Sequence, residues 1–219
     1  MAKDSSSRNT RVFKIYRILT AHFGPQHWWP ARTPLEVIVG AVLTQNTAWS
    51  NVERAIGNLK QAGLLSMKRL LENRRRVPGL IRPSGYYRIK TRRLLNLLDF
   101  IARRYRGKLS LMKAVPTGRL RDELLAVNGV GFETADSILL YALNKRAFVV
   151  DAYTRRIFTR HGFLKGDESY GEIQDLLVRS LPRSTKLYNE YHALIVRLAK
   201  TNCFKHDPDC ATCPISRIS

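Results

Sequence analysis

Residues 124–136 read Leu-Leu-Ala-Val-Asn-Gly-Val-Gly-Phe-Glu-Thr-Ala-Asp, and this stretch decides the fold. Two glycines, Gly129 and Gly131, flank a single valine between two helical patterns. Because glycine adopts backbone conformations that other residues avoid, the sequence predicts a hairpin between two helices that is too tight for side chains. The backbone N–H groups of this hairpin are expected to be exposed where the second helix begins.

Exposed amides at the start of a helix form a binding site for anions. We expect Asn128, Gly129, Val130 and Gly131 to supply this site, and a DNA phosphate has the charge and size to fit it. Asp151 follows the hairpin in the sequence, directly after the apolar run 148–150. The chain therefore combines a predicted phosphate site with a lone carboxylate.

The composition favours a folded chain of one domain or two small ones. Of the 219 residues, 44% are hydrophobic, which is enough to bury a core, and the formal net charge is +21. Such a charge attracts polyanions. A binding protein of the ribosomal or chromatin type is the simple alternative, but the long apolar periodic segments favour an enzyme-sized core.

The N-terminal segment and the hydropathy indicate where the protein works. No stretch approaches the ~20 apolar residues that a membrane-spanning helix needs, so no membrane partner is expected. The first ten residues are polar and lack the apolar core of a signal peptide. We therefore expect a disordered N-terminus over 1–10, a cytoplasmic, nucleoid-associated location and cysteines in a reducing compartment.

The periodicity of apolar residues is helical almost throughout, and no strand-like alternation persists long enough to build a sheet. Thr33 and Pro34 begin one helix, and Gly63 ends another. Thr117 is expected to cap the helix that leads into the hairpin. The predicted fold class is all-α, with further helices over approximately 12–23, 48–62, 66–73, 84–105, 152–161, 169–180 and 184–201.

Asp151 has two interpretations from the residues alone. Aspartate is a favoured N-cap residue, and a helical pattern begins directly after it. A carboxylate here could instead stabilise the positive charge that develops on a sugar ring when a glycosidic bond breaks, and orient or deprotonate water. The two roles are compatible with each other.

Five segments, in this order, carry a resemblance to a known family. They are 28–30 (Trp-Trp-Pro), 43–47 (Leu-Thr-Gln-Asn-Thr), 82–87 (Arg-Pro-Ser-Gly-Tyr-Tyr), 131–136 (Gly-Phe-Glu-Thr-Ala-Asp) and 150–153 (Val-Asp-Ala-Tyr). Over most of its length the chain resembles the endonuclease-III-type 3-methyladenine DNA glycosylases of the helix-hairpin-helix superfamily. The resemblance implies an all-helical enzyme of two lobes, with damaged DNA entering the cleft between them. One lobe would be a six-helix barrel over 31–145, including the hairpin at 128–131, and the other would combine 11–30 with 146–219.

The same resemblance implies roles for individual residues. Glu133 stands where endonuclease III, which also cleaves the strand, has the lysine that forms a Schiff base. A carboxylate cannot form an imine, so no strand cleavage is expected. Glu133 joins Asp151 in the predicted catalytic set, and Gln45 matches the glutamine that fills the gap left by a flipped base.

The three tryptophans, Trp28, Trp29 and Trp49, are candidates for the base pocket. Tryptophan is usually buried in a core. A flipped base, however, needs aromatic faces on which to stack, and a base alkylated at a ring nitrogen is a cation that such faces attract. We expect Trp29 and Trp49 to form the stacking walls and Trp28 to be a packing residue.

The three cysteines have the spacing of the first three ligands of the endonuclease III [4Fe-4S] loop. They are Cys203, Cys210 and Cys213. Ser219 stands at the place of the fourth cysteine in that pattern. The open interpretations are a cluster with an unusual fourth ligand, a lost cluster, or a zinc site completed by His206. In cluster-free members of the branch a modified lysine stabilises this corner, and Leu194 occupies the corresponding position here.

The sequence therefore predicts a monofunctional DNA N-glycosylase, a monomer that releases alkylated purines such as 3-methyladenine from double-stranded DNA. One alternative is a glycosylase for mismatched or otherwise damaged bases. A second is a non-catalytic helix-hairpin-helix protein that only binds DNA, which would have no need of Asp151. The chemistry needs no cofactor, and an iron–sulfur cluster would be structural and would position DNA.

Overall fold

The computed structural model describes residues 2–26 and 31–218. Neither range contains a β-strand, and the predicted all-α class is confirmed. The chain forms two compact units, one of Met1–Trp28 with Arg146–Ser219 and one of Trp29–Lys145. No helix in the described ranges is long and apolar enough to cross a membrane.

The elements follow one another in short connections. In chain order they are α1 (Ala2–Phe23), α2 (Pro34–Leu43), α3 (Trp49–Gln61), α4 (Met67–Glu72), α5 (Val77–Leu80), a 3₁₀ turn (Arg82–Ser84), α6 (Tyr87–Tyr105), α7 (Leu109–Ala114), α8 (Thr117–Leu125), α9 (Phe132–Ser137), a π-helical turn (Ile138–Ala142), α10 (Ala152–Arg160), α11 (Tyr170–Ser180) and α12 (Thr185–Thr201).

Helix α2 is the centre of the unit formed by residues 29–145. Thr33 caps it by accepting a hydrogen bond from the N–H of Glu36 at 3.2 Å, and Pro34 lies in its first turn. All residues from Glu36 to Leu43 are buried. Because α2 packs against α3, α6, α9 and the π-helical turn, its C-terminal end holds the following loop next to the hairpin.

Helix α12 has the corresponding place in the other unit, where it packs against α1 and α10. Its middle is buried, including Leu194, which is fully enclosed. The apolar segment Phe148, Val149 and Val150 is also buried and leads directly to Asp151 at the start of α10. The buried segment thereby fixes the position of the carboxylate.

Two expectations about helix ends were wrong. Helix α1 begins at Ala2, where we expected a disordered segment over 1–10. That segment is polar but contains no glycine or proline, so nothing in it interrupts a helix. Thr117 does not cap α8, because Pro116 occupies the N-cap position and Thr117 is already the first helical residue.

Three short elements were not predicted. Helices α5 and α7 have four and six residues, which is too short for a periodic pattern to stand out. The π-helical turn of Ile138–Ala142 continues α9, and the apolar pattern there does not distinguish a wider helix from an ordinary one.

Candidate functional site

The two glycines of the α8–α9 hairpin have different structural roles. Gly129 has a φ of +97°, and a Cβ there would lie 2.2 Å from Cγ of Arg93. Glycine is required because both the backbone conformation and the available space exclude a side chain. Gly131 is the N-cap residue of α9 with a φ of −94°, and a Cβ there would meet nothing within 4 Å. The hairpin is therefore closed towards α6 and open at Gly131.

An ion pair joins the two helices of the hairpin. Arg121 on α8 donates from Nε and Nη2 to the two carboxylate oxygens of Asp136 on α9, at 2.7 and 2.9 Å. Asp136 is fully buried. A two-point contact of this kind restricts orientation as well as distance, so it fixes how α9 presents its N-terminus.

Gln45, just beyond the end of α2, contacts the hairpin directly. Its Nε2 donates to the carbonyl of Gly129 at 3.3 Å and to Oγ1 of Thr134 at 3.0 Å. Its Oε1 accepts a hydrogen bond from Arg93 at 2.5 Å. The structure thus brings Gln45 and the hairpin together, and the role of Gln45 as a duplex plug stays a prediction.

Two residues of α6 that support the hairpin were not predicted from the sequence. Arg93 packs against Gly129 and binds Gln45, and Asn96 donates to the carbonyl of Asn128 at 3.1 Å. Residues three apart share one face of a helix. That spacing was the only available signal, because their partners are distant in the sequence.

Asp151 is the N-cap residue of α10, and partners lie at both of its carboxylate oxygens. Oδ1 accepts hydrogen bonds from the N–H of Thr154 at 2.7 Å and from its hydroxyl at 2.8 Å. Oδ2 lies 3.4 Å from Nε2 of His192 on α12. These contacts fix the orientation of the carboxylate before any substrate is bound.

The surroundings of Asp151 keep its carboxylate ionised. Burial raises the pKa of Asp151, but the neighbouring His192 and the hydrogen bonds from Thr154 lower it, and the net result is a pKa below the usual value. Asp151 is therefore negatively charged at neutral pH. Its side chain is only 12% exposed, so water screens this charge weakly.

His192 is a third residue that was not predicted. It lies on α12 next to the buried run Ala193, Leu194 and Ile195 and is itself buried. A polar residue within an apolar stretch was the only signal in the sequence, and the contact with Asp151 depends on the packing of α12 against α10.

The other predicted site residues occupy separate places. Glu133 is exposed in the first turn of α9, where its charge complements the helix N-terminus. Trp49 begins α3 and donates from its indole N–H to Glu53 at 3.0 Å. Trp28 and Trp29 lie outside the described residues. The hairpin with Gln45 belongs to one unit, and Asp151 with His192 belongs to the other.

The three cysteines line one cavity of about 430 Å³ in the unit that contains Asp151. Cys203 and Cys213 are buried and Cys210 is exposed. Arg160 donates a hydrogen bond to Sγ of Cys203 at 3.2 Å.

Within residues 2–26 and 31–218, no group of three His, Cys, Asp or Glu side chains is arranged to hold a metal ion. His206 is exposed, and Ser219 lies outside the described residues. The described side chains therefore do not fit an iron–sulfur cluster or a zinc ion as they stand.

The chain is similar to several known proteins. A family model described as HhH-GPD superfamily base excision DNA repair protein matches residues 39–183. A protein of Methanocaldococcus jannaschii that carries the name DNA repair glycosylase is 49% identical over 209 residues, 94% of this chain and 94% of the relative.

Two solved structures are also similar. The H. pylori 3-methyladenine DNA glycosylase bound to 1,N6-ethenoadenine is 28% identical with a TM-score of 0.76, over 86% of this chain and 97% of that one. A non-covalent complex of endonuclease III with DNA is 23% identical with a TM-score of 0.82, over 96% and 94% of the two chains. The second likeness shows a shared fold.

Proposed function

The chain belongs to the HhH-GPD superfamily of base excision DNA repair proteins, and we propose that it removes alkylated purines such as 3-methyladenine from double-stranded DNA as a monomer. In this proposal the protein hydrolyses the bond between the damaged base and its deoxyribose and leaves the DNA strand intact. The observation that carries the proposal is the ionised, pre-oriented carboxylate of Asp151.

Asp151 is suited to the charge that develops during this reaction. As the glycosidic bond breaks, its electron pair leaves with the base and the sugar acquires oxocarbenium character. A weakly screened carboxylate stabilises that positive charge. Water then adds to C1′ of the sugar and gives its proton to Asp151 or to solvent. A purine alkylated at a ring nitrogen is a cation in DNA and leaves as a neutral base, so the leaving group needs little help.

The hairpin supplies the binding contacts of the proposal. Gly131 is open, and the amides at the start of α9 suit a DNA phosphate because they combine N–H donors with the positive end of a helix. Asn128, Gly129 and Val130 complete the predicted contact. Gln45, held beside the hairpin, is proposed to occupy the gap that the flipped base leaves in the duplex.

Aromatic stacking is proposed to hold the extruded base. Trp49 is half-buried at the start of α3, and Trp28 and Trp29 are the other candidates. A cationic alkylpurine gains cation–π attraction on an indole face in addition to stacking. Such a pocket selects by shape and charge and needs few hydrogen bonds.

Glu133 supports the absence of strand cleavage. Strand cleavage through a Schiff base needs an amine that attacks C1′ of the sugar, and the residue at this place in the hairpin is a carboxylate. We therefore propose a monofunctional enzyme, in which water is the nucleophile.

The substrate class is tested by offering the protein several damaged duplexes in parallel. Methylated DNA, mismatch-containing DNA and undamaged DNA are incubated with the protein, and the released bases are separated and identified. We expect 3-methyladenine from methylated DNA and no release from the others. Release from the mismatched duplex alone would support the mismatch alternative, and binding without any release would support the non-catalytic one.

A further inference from the structure

Lys90 is a buried lysine in the first part of α6, with 2% of its surface exposed. Its Nζ donates hydrogen bonds to the carbonyl of Leu43 at 2.8 Å and to the carbonyl of Ser84 at 2.6 Å. A charged amine is costly to bury unless it is hydrogen-bonded. Burial and the neighbouring Arg93 lower the pKa of Lys90 to about 8, which agrees with this close enclosure.

The two acceptors are carbonyls at the ends of two different elements. Leu43 is the last residue of α2, and Ser84 is the last residue of the 3₁₀ turn. Carbonyls at a helix C-terminus carry partial negative charge and lack partners within the helix. One amine therefore joins the ends of two elements that are far apart in the sequence.

Each of these ends is followed within three residues by an exposed residue with a left-handed backbone. Asn46 follows Gln45 with a φ of +52°, and Tyr86 follows Gly85 with a φ of +44°. Tyr86 is 72% exposed, the most exposed of the large hydrophobic residues among those described. Asparagine tolerates this conformation, but a bulky residue such as tyrosine adopts it only where its surroundings impose it, and such residues cluster at functional sites.

We propose that Lys90 is a positioning residue that fixes the Gln45 loop (residues 44–47) and the Tyr86 turn (residues 84–87) as one surface for contact with DNA. The inference rests on the proposed function, because it takes damaged DNA as the ligand of this surface. Gln45 supplies an amide that can fill a gap in a base stack. Tyr86 supplies an exposed aromatic face on which a base at the edge of that gap can stack.

The same face of α6 strengthens the argument. Lys90, Arg93 and Asn96 follow one another at intervals of three residues. Lys90 holds the backbone before Gln45, Arg93 binds the Gln45 side chain, and Asn96 binds the hairpin carbonyl of Asn128. One face of α6 thus organises the proposed duplex-contact surface together with the phosphate-binding hairpin.

The test compares Lys90→Met with Lys145→Met. Both variants lose a lysine whose Nζ binds a backbone carbonyl in the same unit, but Lys145 binds Val115, which belongs to neither loop. Three quantities are measured: hydrogen exchange of 44–47 and 84–87, the single-turnover rate of base release, and the Kd for undamaged duplex.

For Lys90→Met we expect faster exchange in both loops and a release rate that is lower by about 10-fold to 10²-fold, because small misplacements of a positioning group have effects of this size. The Kd should change by less than about 3-fold, since the phosphate contacts of the hairpin remain. In Lys145→Met, hydrogen exchange in both loops and the rate of base release should be the same as in the wild type.

Unchanged exchange and an unchanged rate per folded molecule in Lys90→Met would overturn the inference, even if the variant were less stable. If Lys90→Met does not fold, Lys90→Arg gives the same comparison, because a guanidinium keeps the charge and moves the donors. Exchange that stays as in the wild type in both loops of Lys90→Arg would also overturn it. If the wild type releases no base from any duplex, the proposed function fails, and the exchange measurements still decide the role of Lys90.

Discussion

At the scale of single residues, Asp151 combines a structural and a proposed chemical role. It caps α10 through Thr154, and the same contacts orient its charge and lower its pKa. A substitution must therefore separate the two roles. Asparagine is as good an N-cap as aspartate but carries no charge, so Asp151→Asn removes the charge and keeps the cap.

We expect Asp151→Asn to lower the single-turnover rate of base release by about 10²-fold or more, because it removes the group proposed to stabilise the sugar cation. Binding of DNA should be unchanged or slightly tighter, since a negative charge is removed. Asp175→Asn, which changes an exposed aspartate on α11, is the matched control. Release by Asp151→Asn at a rate near that of the wild type would leave Asp151 as a helix cap only.

The carboxylate of Glu133 leads to a prediction about strand cleavage. We expect no covalent protein–DNA complex when the wild type acts on lesion-containing duplex in the presence of borohydride, because the hairpin offers no amine at this position. The measurement is gel electrophoresis of the protein under denaturing conditions. A trapped complex would show that another amine reaches C1′ and that the enzyme is bifunctional.

The sequence predicted these residues to different extents. Asp151 stands out because an apolar run precedes it in the chain, whereas Gln45 was identified only through the resemblance to a known family. His192, Arg93 and Lys90 do not stand out, since their partners are brought to them by the packing of separate helices. A local pattern contains no information about such contacts.

At the scale of elements, the hairpin owes its shape to Gly129 and its proposed contact with DNA to Gly131. Arg93 fills the space beside Gly129, whereas the space beside Gly131 is open. The sequence predicted one purpose for both glycines. The structure separates the roles of the two glycines, because Arg93 on α6 packs beside Gly129 and leaves the space at Gly131 open.

The two alanine variants are expected to differ accordingly. Gly131→Ala should keep the stability of the wild type and bind damaged and undamaged duplex more weakly by a similar factor, because a methyl group there obstructs a phosphate. Gly129→Ala should lower the free energy of unfolding, by about 1 kcal/mol or more, since it combines a positive φ with a steric clash. Thermal unfolding and DNA titration measure both effects. A Gly131→Ala variant with normal binding would exclude this amide site as the phosphate contact.

The long helices could be predicted, and the short ones could not. The Thr33 cap marks α2, and a helical period of buried residues marks α3 and α6. Helices α5 and α7 are stabilised by their contacts with α6 rather than by a pattern of their own. The polar start of α1 was misjudged because polarity alone does not prevent a helix.

At the scale of the whole molecule, the dominant property is the net charge of +21. We expect the affinity for undamaged duplex to fall by roughly 10³-fold or more between about 50 and 200 mM salt, as it does when about six or more phosphates are neutralised. Asp151→Asn should show the same dependence of affinity on salt, because Asp151 is proposed to act in the reaction and not in the phosphate contacts. A Kd that hardly depends on salt would mean that these charges do not face the DNA.

The most direct test of the account is the fate of methylated duplex DNA under single-turnover conditions. The free bases and the DNA strand are analysed from the same reaction. The account predicts that 3-methyladenine is released and that the strand stays intact until the abasic site is opened with alkali. Binding of methylated DNA without release of any base would contradict the account at its centre.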